Sequence, residues 1–219
     1  MMQRILIVNP NSTESCTAAI DRAAEVFRGP DIEIVAETVA AGPVSVASMA
    51  DHARAQGPLI DHIAGRNGSA ADAIVVACFS DPALPAAKEV SGLPCFGLGE
   101  SGILAAMQRG MRFGIVALAE ASVERQQRRV AELGIGARYA GSRAVSLSVP
   151  ELADAERTVA AMAEAGAALV LQDGADVIVM GCAGMADYRN ALAAAVGRPI
   201  IEPTQAAIGS AVAAARQGW

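Results

Sequence analysis

The sequence predicts an α/β protein of two pseudo-symmetric lobes, each a small parallel sheet flanked by helices, with the active site in the cleft between them. Three observations predict it. RILIVN, DIEIVA, DAIVVAC, RFGIVAL and DVIVMGC are nearly continuous apolar runs, the pattern of strands covered on both faces in a parallel sheet. Ala-rich helical stretches such as SVERQQRRVAELG and ERTVAAMAEAGAALVLQDG lie between them, the second running into Gly174 as a helix stop. The same order of segments then occurs twice.

The repeat sets the expected organisation. RILIVNPNS from Arg4 matches RFGIVALAE from Arg112, 108 residues later. DAIVVACFSD from Asp72 resembles DVIVMGCAGM from Asp176 at an offset of 104, which places Cys78 on Cys182. LPCFGLGES from Leu93 lines up with RPIIEPTQA from Arg198 at 105. Each block is a weak match; the shared order and near-constant spacing argue for a duplicated half. The expected lobes are residues 1–95 with about 204–219, and residues 96–203. Ligands of parallel sheets bind beyond the carboxyl ends of the strands. Cys78 and Cys182 both fall at such ends, so the repeat predicts two thiols on opposite walls of one pocket.

Composition narrows the partners. Hydrophobic residues make up 53% of the chain but aromatics only 3%, so Ala, Val, Ile and Leu must fill the core. A formal net charge of −6 speaks against a nucleic-acid groove or an anionic membrane surface. No apolar run approaches the ~20 residues that span a bilayer. The first strand-like run, residues 5–8, is too short for a signal peptide, so a cytoplasmic protein with reduced thiols is expected. Lys88 is the sole lysine and lies in the polar stretch AAKEVSG, an exposed helix end. That placement speaks against a pyridoxal phosphate Schiff base. His52 and His62 have no carboxylate or thiol at ligand spacing, so no metal site is expected. Cys16 and Cys95 read as packing residues.

The paired cysteines point to a chemistry. Racemisation next to a carbonyl needs a base on one face of the carbon and an acid on the other. A thiol has an ordinary pKa of about 8.5, which a positive environment lowers. One thiolate and one thiol can then exchange roles at each turnover. The turns that follow, Phe79–Ser80–Asp81 and Ala183–Gly184–Met185, are expected to pass sharply into helices. Their backbone N–H groups would then face the pocket as a cradle for negative charge. After the first strand, Asn11 with Glu14 three residues on reads as a capping box, and Asn11 also stands where a side chain reaches ligand. The second-half counterpart, residues 117–119, is apolar.

Gly97-Leu-Gly99-Glu-Ser-Gly102 is a literal GxGxxG, the sequence of a dinucleotide loop. Two observations argue against that use. The helix expected after it, residues 103–109, is short. Its repeat partner EPTQA has no glycine. A nicotinamide-dependent enzyme and a non-catalytic ligand-binding protein are therefore the lesser readings, and no cofactor is expected.

ILIVNPNST, GPVSVAS, ACFSDPAL, GLGES, VIVMGCAGMAD and IEPTQAA, in that order along nearly the whole chain, resemble the hydantoin racemase branch of the aspartate/glutamate racemase superfamily. The resemblance implies a cofactor-free two-base racemase, usually oligomeric, with Cys78 and Cys182 as the base pair. It implies that Asn11 and the backbone around Phe79, Ser80, Ala183 and Gly184 hold the ring. The amino-acid racemases carry Asn-Thr and Thr-His after their cysteines. Phe79-Ser80 and Ala183-Gly184 stand here instead, which favours a neutral hydantoin-type ring over a free amino acid. Allantoin, itself a hydantoin, is the alternative substrate. A maleate isomerase is the alternative reaction within the superfamily.

Overall fold

A computed structural model describes residues 2–66, 71–148 and 150–219. It divides into two compact units, Met1–Ser101 with Thr204–Trp219, and Gly102–Pro203.

The first unit holds β1 (Gln3–Asn9), α1 (Glu14–Ala23), β2 (Ile32–Thr38), α2 (Met49–Ala64), β3 (Ala73–Val76), α3 (Leu84–Ser91) and β4 (Cys95–Gly97). The chain leaves it through α4 (Leu98–Arg109) and returns in α8 (Pro203–Gln217). All pairings are parallel, in the order β2-β1-β3-β4. Ile5, Ile7, Val8, Val75 and Val76 are fully buried. Each contributes about 1.5–3 kcal/mol by leaving water, and the alternation of a one-faced sheet is accordingly absent. Leu59 and Ile63 of α2 and Leu84 and Ala87 of α3 pack on Leu6, Val8, Ile74 and Val76.

The second unit holds β5 (Phe113–Ala117), α5 (Glu120–Glu132), β6 (Tyr139–Ala144), α6 (Ala155–Leu171), β7 (Val177–Met180), α7 (Arg189–Val196) and β8 (Ile200–Ile201). Its order, β6-β5-β7-β8, is that of the first sheet, again all parallel. Met162, Ala165 and Leu169 of α6 cover Val116, Ile178 and Met180. Gly174, at φ 73, lies just past α6 as the sequence predicts.

The duplication extends to single hydrogen bonds. Asp72, just before β3, accepts from the Arg4 backbone N–H at 2.7 Å. Asp176, just before β7, accepts from Arg112 at 2.9 Å and Met111 at 2.8 Å. Farther along, Ala77 N–H donates to Val8 O and Gly181 N–H to Val116 O. Each pair matches the other at the offsets of 104 and 108 read from the sequence. No helix among the described residues is long and apolar enough to cross a membrane.

Candidate active site

Both cysteines leave their strands in the same way. β3 ends at Val76 and β7 at Met180, and two residues later Cys78 and Cys182 stand partly exposed. The carboxyl end of a parallel strand leaves side chains and turn N–H groups facing outward, which is why such ends carry ligand sites.

The turn after Cys78 does not enter a helix at once, as the sequence reading expected. α3 begins only at Leu84, and between them Asp81 (φ 47) and Ala83 (φ 52) take left-handed backbone. That geometry costs about 1–2 kcal/mol per residue, so something must hold it. The Asp81 carboxylate does: its two oxygens accept the Gly99 N–H at 2.8 Å and the Glu100 N–H at 2.7 Å. These are donors of the first turn of α4, which has no preceding turn to accept them, and a carboxylate there gains from both hydrogen bonding and the helix dipole.

The same contact explains the glycines. A Cβ on Gly97 would stand 2.3 Å from Asp81 Oδ1, and one on Gly99 would stand 2.2 Å from the Phe79 carbonyl oxygen. The GxG of the apparent dinucleotide motif lets the loop bearing Cys78, Phe79 and Ser80 lie on the end of α4. The expectation of a short helix over residues 103–109 is corrected: α4 spans Leu98–Arg109 and starts inside the motif. The dinucleotide reading meets a different obstacle, since the N–H groups that would bind a phosphate already hold Asp81.

One side chain touches the Cys78 sulfur, and two others lie beyond it. The Ser80 hydroxyl lies 3.3 Å from Sγ. The same hydroxyl lies 3.1 Å from Nδ1 of His52, on the first turns of α2. Cys16 of α1 is close enough that its ionised form would oppose ionisation of Cys78. Burial pushes the Cys78 thiol above the ordinary thiol range. The Ser80 hydroxyl and backbone N–H work the other way, and the Asp81 charge adds to the rise. Burial likewise raises Cys16, with the Asn11 side chain opposing the rise.

Asn11 is not the start of a capping box. The N-cap of α1 is Thr13, whose side chain makes no capping bond and donates to the Val44 carbonyl instead. Asn11 Oδ1 instead accepts the Thr13 N–H at 2.9 Å, closing an Asx turn, and its Nδ2 points to Cys16 Sγ at 3.7 Å. Behind it sits Asn9, completely buried. Asn9 Nδ2 donates to Asn11 Oδ1 and Thr17 Oγ1, and its Oδ1 accepts the Asn11 N–H. Asn9 thus fixes the loop that carries Asn11. The capping box belongs to Ser48 and Asp51, at the start of the helix that presents His52.

The turn after Cys182 is built from apolar parts. Ala183–Tyr188 form a 3-10 turn that leads into α7, closed by the Met185 N–H on the Cys182 carbonyl. Ala183 and Met185 are buried. A Cβ on Gly184 would stand 3.1 Å from Leu152 Cδ1 and 3.7 Å from Cys182 Sγ. Tyr188 donates its hydroxyl proton to the Leu152 carbonyl, which ties residues 150–153 to this turn. Buried Gln126 of α5 reaches the same strand end, its Nε2 3.0 Å from where a Cβ on Gly181 would be.

Within the first unit the structure thus gathers Cys78, Phe79 and Ser80 in one turn and places Asn11 beside Cys16, which neighbours that turn. Within the second it gathers Cys182, Ala183 and Gly184. His52, Asp81, Asn9 and Leu152 are the residues that sequence reasoning missed. Cys95 is a core residue, as expected, and Lys88 is exposed on α3. His62 pairs with Glu37 at 2.8 Å, well down α2 from His52.

The family described as Asp/Glu/Hydantoin racemase matches residues 5–211. A hydantoin racemase from Pseudomonas sp. (strain NS671) is 31% identical over 206 residues, covering 94% of this chain and 83% of its own. The structure of an allantoin racemase from Klebsiella pneumoniae is 29% identical with a TM-score of 0.91, covering 99% of this chain and 89% of its own. That of an allantoin racemase from Pseudomonas fluorescens is 28% identical with a TM-score of 0.92, covering 99% and 92%.

Proposed function

Because this chain belongs to the Asp/Glu/hydantoin racemase family, we propose that it racemises a hydantoin-type ring, allantoin or a 5-substituted hydantoin, with Cys78 and Cys182 as its two bases. The observation that carries the reading is the matched placement of the two thiols. Each stands two residues beyond the third strand of its unit, in sheets of identical order. A racemase needs two like groups for two mirror-related substrates, and a duplicated half supplies them.

In this mechanism one cysteine, as thiolate, removes the proton from C5, which the adjacent carbonyl acidifies. The resulting enolate is held by N–H groups of the two turns, and the other cysteine, as thiol, delivers a proton to the opposite face. Each turnover leaves the roles exchanged, so the next substrate is the other enantiomer. Asn11, Phe79, Ser80, Ala183 and Gly184 hold the ring. The turns carry no Lys or Arg side chain for a substrate carboxylate, which supports a neutral ring over a free amino acid.

The test is direct. Each enantiomer of allantoin and of a panel of 5-substituted hydantoins is mixed with purified protein, and circular dichroism is followed with time. Decay of the signal to zero from both sides, faster than in a protein-free control, is the expected result. A signal that stays at the control rate for every ring would overturn the proposal.

A further inference from the structure

Burial works against Cys78 as a base, because a thiol pushed above its ordinary range is protonated at neutral pH. A base at this position needs a place to put its proton. The structure contains one that the mechanism above does not use. Sγ of Cys78, Oγ of Ser80 and Nδ1 of His52 form a chain of two contacts, 3.3 and 3.1 Å. A serine hydroxyl can accept a proton on one side while donating on the other. Imidazole is the side chain whose ordinary pKa lies nearest neutrality.

We propose that His52 is the positioning residue that ionises Cys78, acting through Ser80 as a proton relay. In the transfer the Cys78 S–H proton passes to Ser80 Oγ as the Ser80 O–H proton passes to His52 Nδ1. One S–H bond breaks, one N–H bond forms, and the hydroxyl is regenerated. The products are a thiolate, a neutral serine and an imidazolium whose charge balances the sulfur's. The neutral imidazole must begin with its proton on Nε2. Once charged, it donates from Nδ1 to Ser80, which donates to the thiolate.

The surroundings suit the relay. α2 is fixed at its start by the Ser48–Asp51 capping box, whose bonds of 3.1 and 3.0 Å hold the turn that carries His52. Asp51 is kept ionised by the Ser48 hydroxyl and backbone N–H, next in sequence to the imidazolium. Arg54 shares that carboxylate. Around the sulfur the titratable groups are Cys16 on α1 and Asp81 in the turn, both of which oppose a thiolate. Glu100 begins the helix that holds Asp81. Lys88 and Glu89, on the α3 that packs beside α2, are exposed. His52 is the group linked to Ser80 that can become a cation.

The relay gives Cys78 its role in the proposed racemase, but it is testable without any substrate. The full-length protein is treated with iodoacetamide from pH 6 to 10. Alkylation of Cys78 and of Cys182 is then quantified separately by peptide mass spectrometry. Alkylation reports the thiolate. His52→Asn keeps a hydrogen-bond donor near the Nδ1 position and removes the titrating ring. It should slow Cys78 alkylation at pH 7 by about tenfold or more and move its curve up by about one pH unit, leaving the Cys182 curve in place. Ser80→Ala should do the same, Ser80→Thr should restore the wild-type curve, and the double variant should add nothing to either single change.

Unchanged Cys78 curves in both single variants would overturn the relay. So would equal shifts at Cys78 and Cys182, which mark a general loosening of the fold. If no hydantoin is racemised and Cys78 still responds to His52, the relay stands and the substrate assignment falls. If racemisation proceeds and Cys78 is indifferent to His52, the reverse holds.

Discussion

The turn after β3 and the turn after β7 occupy the same place in two copies of one sheet, and they are held by opposite means. The first is polar and strained. Two left-handed residues are pinned by a carboxylate on a helix end, and the cysteine is joined through Ser80 to His52. The second has an apolar anchor: Met185 stands where Asp81 stands, is fully buried, and shares a core cluster with Leu152. The difference teaches that duplication preserved the position of the sulfur and not its environment. Two like bases in unlike surroundings will not ionise alike.

The comparison breaks most sharply at the cysteines. Cys78→Ser and Cys182→Ser should each lower racemisation by about 10²–10⁴-fold, since a hydroxyl ionises far less readily than a thiol. Each variant should still exchange the C5 hydrogen of one enantiomer in heavy water, with opposite preferences, as followed by proton NMR. Loss of exchange from the same enantiomer in both variants would refute the two-base assignment. Because Cys78 has the His52 relay, the enantiomer served by Cys78 should hold its exchange rate to lower pH in the wild type than in His52→Asn.

A second prediction addresses how each turn is held. Asp81→Ala removes the two charge-assisted hydrogen bonds from the Gly99 and Glu100 N–H groups. It should cost about 3 kcal/mol in urea unfolding and, by removing a charge that opposes the thiolate, speed Cys78 alkylation, with the Cys182 rate unchanged. Met185→Ala should cost a similar amount, about 2–5 kcal/mol, as a cavity, and disturb Cys182 alone. If either change alters both thiols equally, the two turns are not independent.

A third sharpens the reading of the glycines. Gly99→Ala would put a Cβ 2.2 Å from the Phe79 carbonyl oxygen, so the loop must move. A stability loss of about 1–3 kcal/mol with a large fall in racemisation is expected. Gly92→Ala, at a helix end with no heavy atom within 4 Å of the new Cβ, should cost only its left-handed backbone and leave activity intact. A dinucleotide added to the wild type should change neither unfolding nor activity, because Asp81 holds the helix end.

What the sequence disclosed follows from this contrast. The strands were legible because burial on both faces forces continuous apolar runs. The repeat was legible because Asp72 and Asp176, Arg4 and Arg112, and the two cysteines kept their spacing. Asn9, Asp81 and His52 were not legible. Each is polar, so each reads locally as a turn or a surface residue; Asn9 owes its role to its complete burial, and the other two to distant bonds, Asp81 to residues 18 and 19 positions on and His52 to Ser80 28 positions on. The same limit explains Asn11. Its spacing to Glu14 fits a capping box, but Asn9 and the Thr13 N–H claim its side chain first.

The smallest effect is a dependence of stability on pH. Burial raises the thiols of Cys16, Cys78 and Cys95, all in the first unit. In the second unit it raises the phenol of Tyr139, with Asp173 adding to the rise and the Ser142 hydroxyl opposing it. A raised acid keeps its proton in the folded state after the unfolded chain has lost it. The unfolded state then binds fewer protons, and stability falls as pH rises. The thiols begin this fall near their ordinary value of about 8.5, whereas Tyr139 begins it only near 10. Thermal unfolding should therefore be flat in pH from 7 to about 8, then decline, with a steeper decline above about 10. Cys95 packs in the core away from the proposed chemistry, so Cys95→Ala isolates one thiol. Its melting temperature starts lower because of the lost packing, but its slope between pH 8.5 and 10 should be shallower than wild type, one raised thiol being gone. A slope unchanged by this variant would mean that the buried Cys95 thiol does not govern alkaline stability.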